Sequence, residues 1–355
     1  MTDRIGRIRP LLQEHDVQAI LLTFLPDIRW ACGFTGSNGL LIVQHDRADF
    51  FSDGRYAVQA RRQVRGAEVH IPGYEILRHV AEGAFLDGVR RVAFQADHTT
   101  VAQWRDWQER FPAVEWVPVS GLLQRLVGRK DDDEVARIRR AQAVTDAVFE
   151  HLLAVLRPGM TEQEVAAEIV YQHLQRGAEK MSFDPIVASG PNGALPHARP
   201  GDRRLAAGEM VVLDFGCFVD GYASDMTRTV AIGEPGEEAR AVYALVRQAQ
   251  EAAIEAARAG MSSRALDAVA RECIEAGGYG EYFSHGLGHG VGLQIHEWPR
   301  LSYHVDDVLP AGATVTIEPG IYLPERFGVR IEDIIVLRDE GHENLTASPR
   351  DLLVL

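Results

Sequence analysis

The chain contains one pattern twice. Pro158-Gly159-Met160-Thr161-Glu162 is echoed by Ala259-Gly260-Met261-Ser262-Ser263, the second glycine at an offset of 101 from the first. Each segment opens an amphipathic helical pattern. The stretch from Leu205 to Gly216 then matches the stretch from Leu309 to Gly320 at an offset of 104, and Asp225 matches Glu332 at 107. Small loop insertions produce such a drift. A period of about 100 residues is too long for a solenoid unit. The repeat predicts two similar α/β halves facing each other across a pseudo-two-fold axis.

Acids recur at matched places in the two copies. Val211-Val212-Leu213-Asp214 and Val315-Thr316-Ile317-Glu318 are β-rich runs, each with an acid at its end. Asp225 and Glu332 are expected on the following strands, after Gly221 and Gly328. A single Asp or Glu at a strand turn is ordinarily a cap or a surface charge, but two matched pairs are not explained that way. A buried carboxylate needs a partner, and no basic residue stands beside Asp214 or Glu318. Four carboxylates converging on one axis repel. Two divalent ions about 3.5–4 Å apart, sharing bridging carboxylates, relieve that repulsion.

A second cluster runs from His285 to Glu297. His285, His289 and His296 are interleaved with Gly286, Gly288, Gly290 and Gly292. A lone histidine is more often a core or surface residue. Dense glycine lets backbone approach a metal or substrate closely, and imidazole is a common metal ligand. One of the three is expected as a ligand, the others as groups that orient it or handle protons.

The remaining sequence bounds the architecture. At 355 residues the chain exceeds what one core usually serves. The boundary falls near Gly128-Arg129-Lys130, giving domains 1–128 and 129–355. In the first, Ile5, Ile8, Leu11 and Leu12 sit at helical spacing. Strands are expected at 17–22, 40–43, 49–52 and 92–94, a turn at Asp53-Gly54 and a helix over 55–64. Asp27, Arg29, Arg55 and His98 read as structural or solvated. Asp131-Asp132-Asp133-Glu134 complements the dipole of a long following helix.

A net charge of −14 argues against nucleic acid, whose binding rests on Lys and Arg. Cys32, Cys217 and Cys273 form no CxxC pair and read as free thiols of a reducing compartment. The N-terminal segment from Met1 is amphipathic rather than a signal peptide. No run of about 18 apolar residues suggests a membrane span. A cytoplasmic location is expected.

The ordered motifs resemble the proline dipeptidase and aminopeptidase P family, strongly from about Lys130 onward and more loosely before it. They are Leu213-Asp214-Phe215-Gly216, Ser224-Asp225-Met226-Thr227-Arg228-Thr229, the HGxGHxxG run with His289, Ile317-Glu318-Pro319-Gly320 and Arg330-Ile331-Glu332-Asp333. The resemblance implies an N-terminal creatinase-like α/β domain and a C-terminal pita-bread metallopeptidase domain. It implies Asp214, Asp225, His289, Glu318 and Glu332 as ligands of two divalent ions. Manganese, cobalt or zinc suits such oxygen-rich donors. It also implies short proline-containing peptides as substrates, cut at the Xaa-Pro bond, and a homodimer. His197 would line the substrate site, and His285 and His296 would flank the scissile bond. Tyr322 and Arg330 would lie near the proline pocket, and Arg300 would hold a substrate carboxylate. Where the family typically has Asn-Ile-Arg-Tyr, this chain has Asp27-Ile28-Arg29-Trp30. If that segment bordered the site in a dimer, Asp27 would favour an α-ammonium group.

With Glu318 as general base, His296 would stabilise the oxyanion and His285 would bond the substrate backbone. Three rivals share the fold. A methionine-aminopeptidase-like exopeptidase is disfavoured by the long N-terminal domain. A metal-free creatinase-like amidinohydrolase and a non-catalytic peptide- or histone-binding module are disfavoured by the complete ligand set.

Overall fold

In the computed structural model, which describes residues 3–73 and 75–355, the two repeated helix openings use the same hydrogen bonds. Gly159 N–H donates to Leu205 O (2.8 Å) and Gly260 N–H to Leu309 O (2.8 Å). Leu205 N–H returns to Met160 O, as Leu309 N–H does to Met261 O. The helices Glu162–Gln175 and Ser263–Ala276 are then capped by Thr161 and Ser262, whose side chains accept N–H groups of the first turn. Met1 and Thr2, where the N-terminal segment read above begins, lie outside the described residues.

The chain divides into two units, Met1–Val127 and Gly128–Leu355. The first is built on a six-stranded mixed sheet. Its strands are β1 (Ala19–Leu22), β2 (Leu40–Gln44), β3 (Ala48–Phe51), β4 (Glu68–His70), β5 (Arg91–Gln95) and β6 (Glu115–Val119), in the order β4-β3-β2-β1-β5-β6. Its core gathers Leu21, Ile42, Phe51, Phe94, Trp107 and Trp116. The four apolar runs correspond to β1, β2, β3 and β5. The sequence reading passed over β4 and β6, three and five residues long, and the helices Leu25–Cys32, Ile76–Glu82 and Val101–Arg110. Pro118 in β6 is tolerated because β6 is an edge strand.

The second unit holds both repeats. Its strands are β7 (Lys180–Met181), β8 (Ile186–Ser189), β9 (Glu209–Phe215), β10 (Cys217–Val219), β11 (Tyr222–Ala223), β12 (Met226–Ile232), β13 (Gly288–Gly290), β14 (Glu297–Leu301), β15 (Thr314–Ile317), β16 (Gly320–Leu323), β17 (Phe327–Arg330), β18 (Asp333–Leu337) and β19 (His342–Asn344). In one half β9 pairs antiparallel with β12, and in the other β15 pairs antiparallel with β18. The second acids were expected on the next strands in the chain; they lie instead just before the third strand on, β12 after β9 and β18 after β15. Hairpins β10/β11 and β16/β17 intervene.

Each half covers its sheet with its own helices. Val148, Leu152, Val165 and Ile169 pack on Leu213, Phe215 and Val230. Val242, Val246, Leu266 and Ala270 pack on Val315, Ile317 and Ile335. The acidic run has the expected structural role: Asp131 caps the helix Asp132–Val155 in a capping box with Glu134. No helix among the described residues is long and apolar enough to cross a membrane.

Candidate metal centre

The strand ends of both halves bring five side chains to one cavity of about 690 Å³, which Asp214, Asp225, His289, Glu318 and Glu332 all line. Asp214 comes from β9, and Glu318 directly follows β15. Asp225 and Glu332 directly precede β12 and β18, and His289 lies in β13. Their ordinary hydrogen bonds leave unmet demand. Asp214 Oδ2 accepts from Arg330 Nη2 (2.6 Å), but the buried Oδ1 finds no partner. Thr316 donates to Glu318 Oε1 (3.0 Å) and Thr227 to Glu332 Oε2 (2.7 Å).

His289 Nδ1 lies 3.1 Å from Gly290 O. Donation there turns the Nε2 lone pair toward Glu318 Oε1 (3.3 Å) and Asp225 Oδ2 (3.6 Å). Acceptor then faces acceptor, an arrangement that a cation satisfies. Ligand atoms of Asp225, His289 and Glu332 lie within 4.8 Å of one another.

Electrostatics agrees with the geometry. Burial, then the charges of Glu332, Asp214 and Glu318, raise Asp225 well above the usual carboxylate range. Burial and then Glu318 and Asp214 do the same to Glu332. Burial lifts Glu318 to about 7, against the opposing pull of Arg330. Burial lowers His289 to about 3, so the imidazole is neutral and its lone pair is available. The chain carries more buried negative charge than its own cations neutralise. These residues therefore fit divalent ions.

The other residues singled out in the sequence line the same cavity or back it. His197, His285, His296, Arg300 and Arg330 line it. Tyr322 stands behind: Arg330 Nη1 donates to its hydroxyl oxygen (2.8 Å), which lies 2.8 Å from His285 Nε2. His285 Nδ1 lies 2.8 Å from Gly286 O, so both ring nitrogens are engaged within the protein. His296 meets His289 edge to face, centroids 4.4 Å apart.

Two expectations are corrected and a third is extended. Asp214 does have a basic partner, Arg330, which stands 116 residues away in sequence and so is not legible as a neighbour. The glycines of the histidine run do both jobs: Gly286 and Gly288 line the cavity, and close strand packing also needs them, since a Cβ on Gly288 would fall 2.1 Å from Thr316 O and one on Gly290 2.5 Å from Trp298 O. Asp27 is buried in its own unit, accepting from Gln95 Nε2 (2.6 Å), and is not presented to an ammonium group.

Thr227, Thr316 and Arg228 had no role in the sequence reading. Buried Arg228 donates to Glu332 O (2.6 Å) and Asp333 Oδ1 (2.7 Å), tying β12 to β18 beside the acids. An arginine as the one charged residue of a strand was the available signal.

Comparison with known proteins decides the family. Residues 136–339 match metallopeptidase family M24, and residues 4–126 match the creatinase/prolidase N-terminal domain. The chain belongs to metallopeptidase family M24. A solved Xaa-Pro dipeptidase from Bacillus anthracis is 40% identical to this M24 chain with a TM-score of 0.97, covering 99% of each chain. A solved X-Pro aminopeptidase from Thermotoga maritima is 34% identical with a TM-score of 0.92, covering 99% of this chain and 100% of its own. The Xaa-Pro dipeptidase of Pyrococcus furiosus is 33% identical over 99% of the M24 chain and 100% of its own. The creatinase-like and pita-bread architecture expected from the motifs is thus the architecture found.

Proposed function

We propose that this M24 chain is a metallo-exopeptidase that hydrolyses the Xaa-Pro bond of short peptides. One observation carries the reading: four carboxylates and one imidazole from both halves converge in a cavity that also holds His197, His296 and Arg300. Relatives named for Xaa-Pro bonds support the substrate class.

Asp214, Asp225, His289, Glu318 and Glu332 would hold two divalent ions, with manganese, cobalt or zinc suited to these donors. When bound, such ions supply Lewis acidity, lowering the pKa of water and polarising the scissile carbonyl. Glu318 would take a proton from the attacking water on Oε2, since Thr316 engages Oε1. His296, exposed in the cavity, would donate to the carbonyl oxygen as charge builds there. His285, with both nitrogens engaged, would act by holding Tyr322 rather than by touching the substrate backbone. Proline lacks an N–H, so its pocket needs no acceptor. A homodimer and a cytoplasmic setting belong to the same proposal, supported by the family resemblance and by three unpaired cysteines.

Exposed Arg300 offers a guanidinium to a free carboxylate, which favours dipeptides. With manganese supplied, Ala-Pro is expected to be cut faster than Ala-Pro-Ala-Ala at equal concentration. Faster cleavage of the tetrapeptide would assign an open groove and remove that role from Arg300. Cleavage of neither would refute the proline preference.

A further inference from the structure

Glu162 is fully buried, yet among the described residues no cation hydrogen-bonds to it. Its carboxylate accepts instead from Ser189 N (2.8 Å), Ser189 Oγ (2.8 Å), Asn192 Nδ2 (3.0 and 3.1 Å) and Gly201 N (3.2 Å). These donors sit at the two ends of one loop, residues 190–201. The second half of that loop, from Pro196 to Pro200, lines the cavity and presents His197. His197 is itself exposed, so its position follows from where the loop ends are held. A buried charge retained against its desolvation cost needs this many donors.

The repeat supplies a second, independent argument. Glu162 N–H donates to Arg203 O as Ser263 N–H donates to Asp307 O, so Ser263 is its counterpart in the other half. Ser263 also clasps a loop at the cavity rim. Its hydroxyl donates to Val305 O (3.0 Å) and accepts from Asp307 N–H (3.0 Å), and Ser302 and Val305 line the cavity. Each half thus uses the first residue of its second helix to fasten a rim loop. The half that presents His197 replaces a hydroxyl with a carboxylate that reaches both loop ends.

We propose that Glu162 is a positioning residue that holds the 190–201 loop, and with it His197, in place for substrate. The proposal rests on the reading of the cavity as a peptidase site. Glu162→Gln keeps the shape but swaps one acceptor oxygen for a donor, which faces donors. Hydrogen exchange of the full-length protein should quicken across 190–201 while β15 and β18 keep their protection. In the manganese-loaded enzyme, KM for Ala-Pro should rise about tenfold with kcat within about twofold. Glu162→Gln/His197→Ala should be no worse than His197→Ala alone.

Should Glu162→Gln not fold, Asn192→Ala removes one arm of the clasp and should show the same pattern more weakly. Unchanged exchange across 190–201 would overturn the proposal, as would effects of Glu162→Gln and His197→Ala that simply multiply. If the wild-type protein cuts no Xaa-Pro peptide, the peptidase reading fails separately, and the exchange experiment still decides whether Glu162 holds the loop.

Discussion

Glu318 carries both halves of the argument at the scale of single residues. It is one of four crowded carboxylates, and it is placed to take a proton. Glu318→Gln keeps the volume and an oxygen for the Thr316 hydroxyl, and it removes one charge from a self-repelling cluster. We expect turnover to fall about 10²–10⁴-fold, the usual contribution of a general base, with no loss of melting temperature in the metal-free protein. Turnover near wild type, measured with metal content matched, would remove Glu318 from the proton path. The five residues around the cavity were legible because the repeat marks acids twice and the motifs fall in order. Arg330, Thr227 and Arg228 were not legible as their neighbours. Pairings such as Arg330 with Asp214 or Arg228 with Asp333 join strands more than a hundred residues apart, and a side chain's direction across a sheet is not written in local spacing.

At the scale of elements, the helix Glu162–Gln175 carries a titration that the site does not use. His173 is fully buried there. It lies near Thr145 Oγ1 (3.3 Å) and Ile169 O (2.8 Å), edge-on to Phe215. Burial lowers its pKa from 6.5 to about 4. As pH falls, the unfolded chain therefore takes up this proton before the folded one. The contribution is complete above about 6.5 and is lost between 6.5 and 4, a change on the order of 3 kcal/mol. The stability difference between wild type and His173→Gln, followed by urea titration across that range, should narrow or reverse as pH falls. A difference constant from pH 7 to 4 would contradict this. The acids at the cavity titrate in both proteins and cancel in the comparison. The helix itself was legible from the amphipathic pattern that the repeated segment 158–162 opens. Its buried histidine was not, because a polar residue on an apolar face does not declare its partner.

At the scale of the whole molecule, the two units differ in how the sequence describes them. The second was legible as a repeat, since each half reuses the same turn, cap and strand order. In the first, short strands such as β4 and the edge strand β6 with its proline lack the periodicity that marks longer elements. The units also differ in charge placement. Around the cavity of the Gly128–Leu355 unit, buried carboxylates outnumber the arginine that pairs with them. Any cation bound there stabilises the folded state by mass action, about 2.7 kcal/mol at a hundredfold excess over Kd. Chelation should therefore speed hydrogen exchange in β9, β12, β15 and β18, the strands that carry or directly flank the acids. It should leave β1, β2 and β5 unchanged, because their core of Leu21, Ile42 and Phe94 is apolar and the one acidic group beside it among the described residues, Asp49 with Glu68 and His70, already has Arg47 and His70 on its buried carboxylate. Manganese should restore protection to the first set alone. Equal loosening of both sets would mean that the metal acts on the molecule generally, and equal protection in both conditions would mean that the carboxylates are neutralised by protons instead.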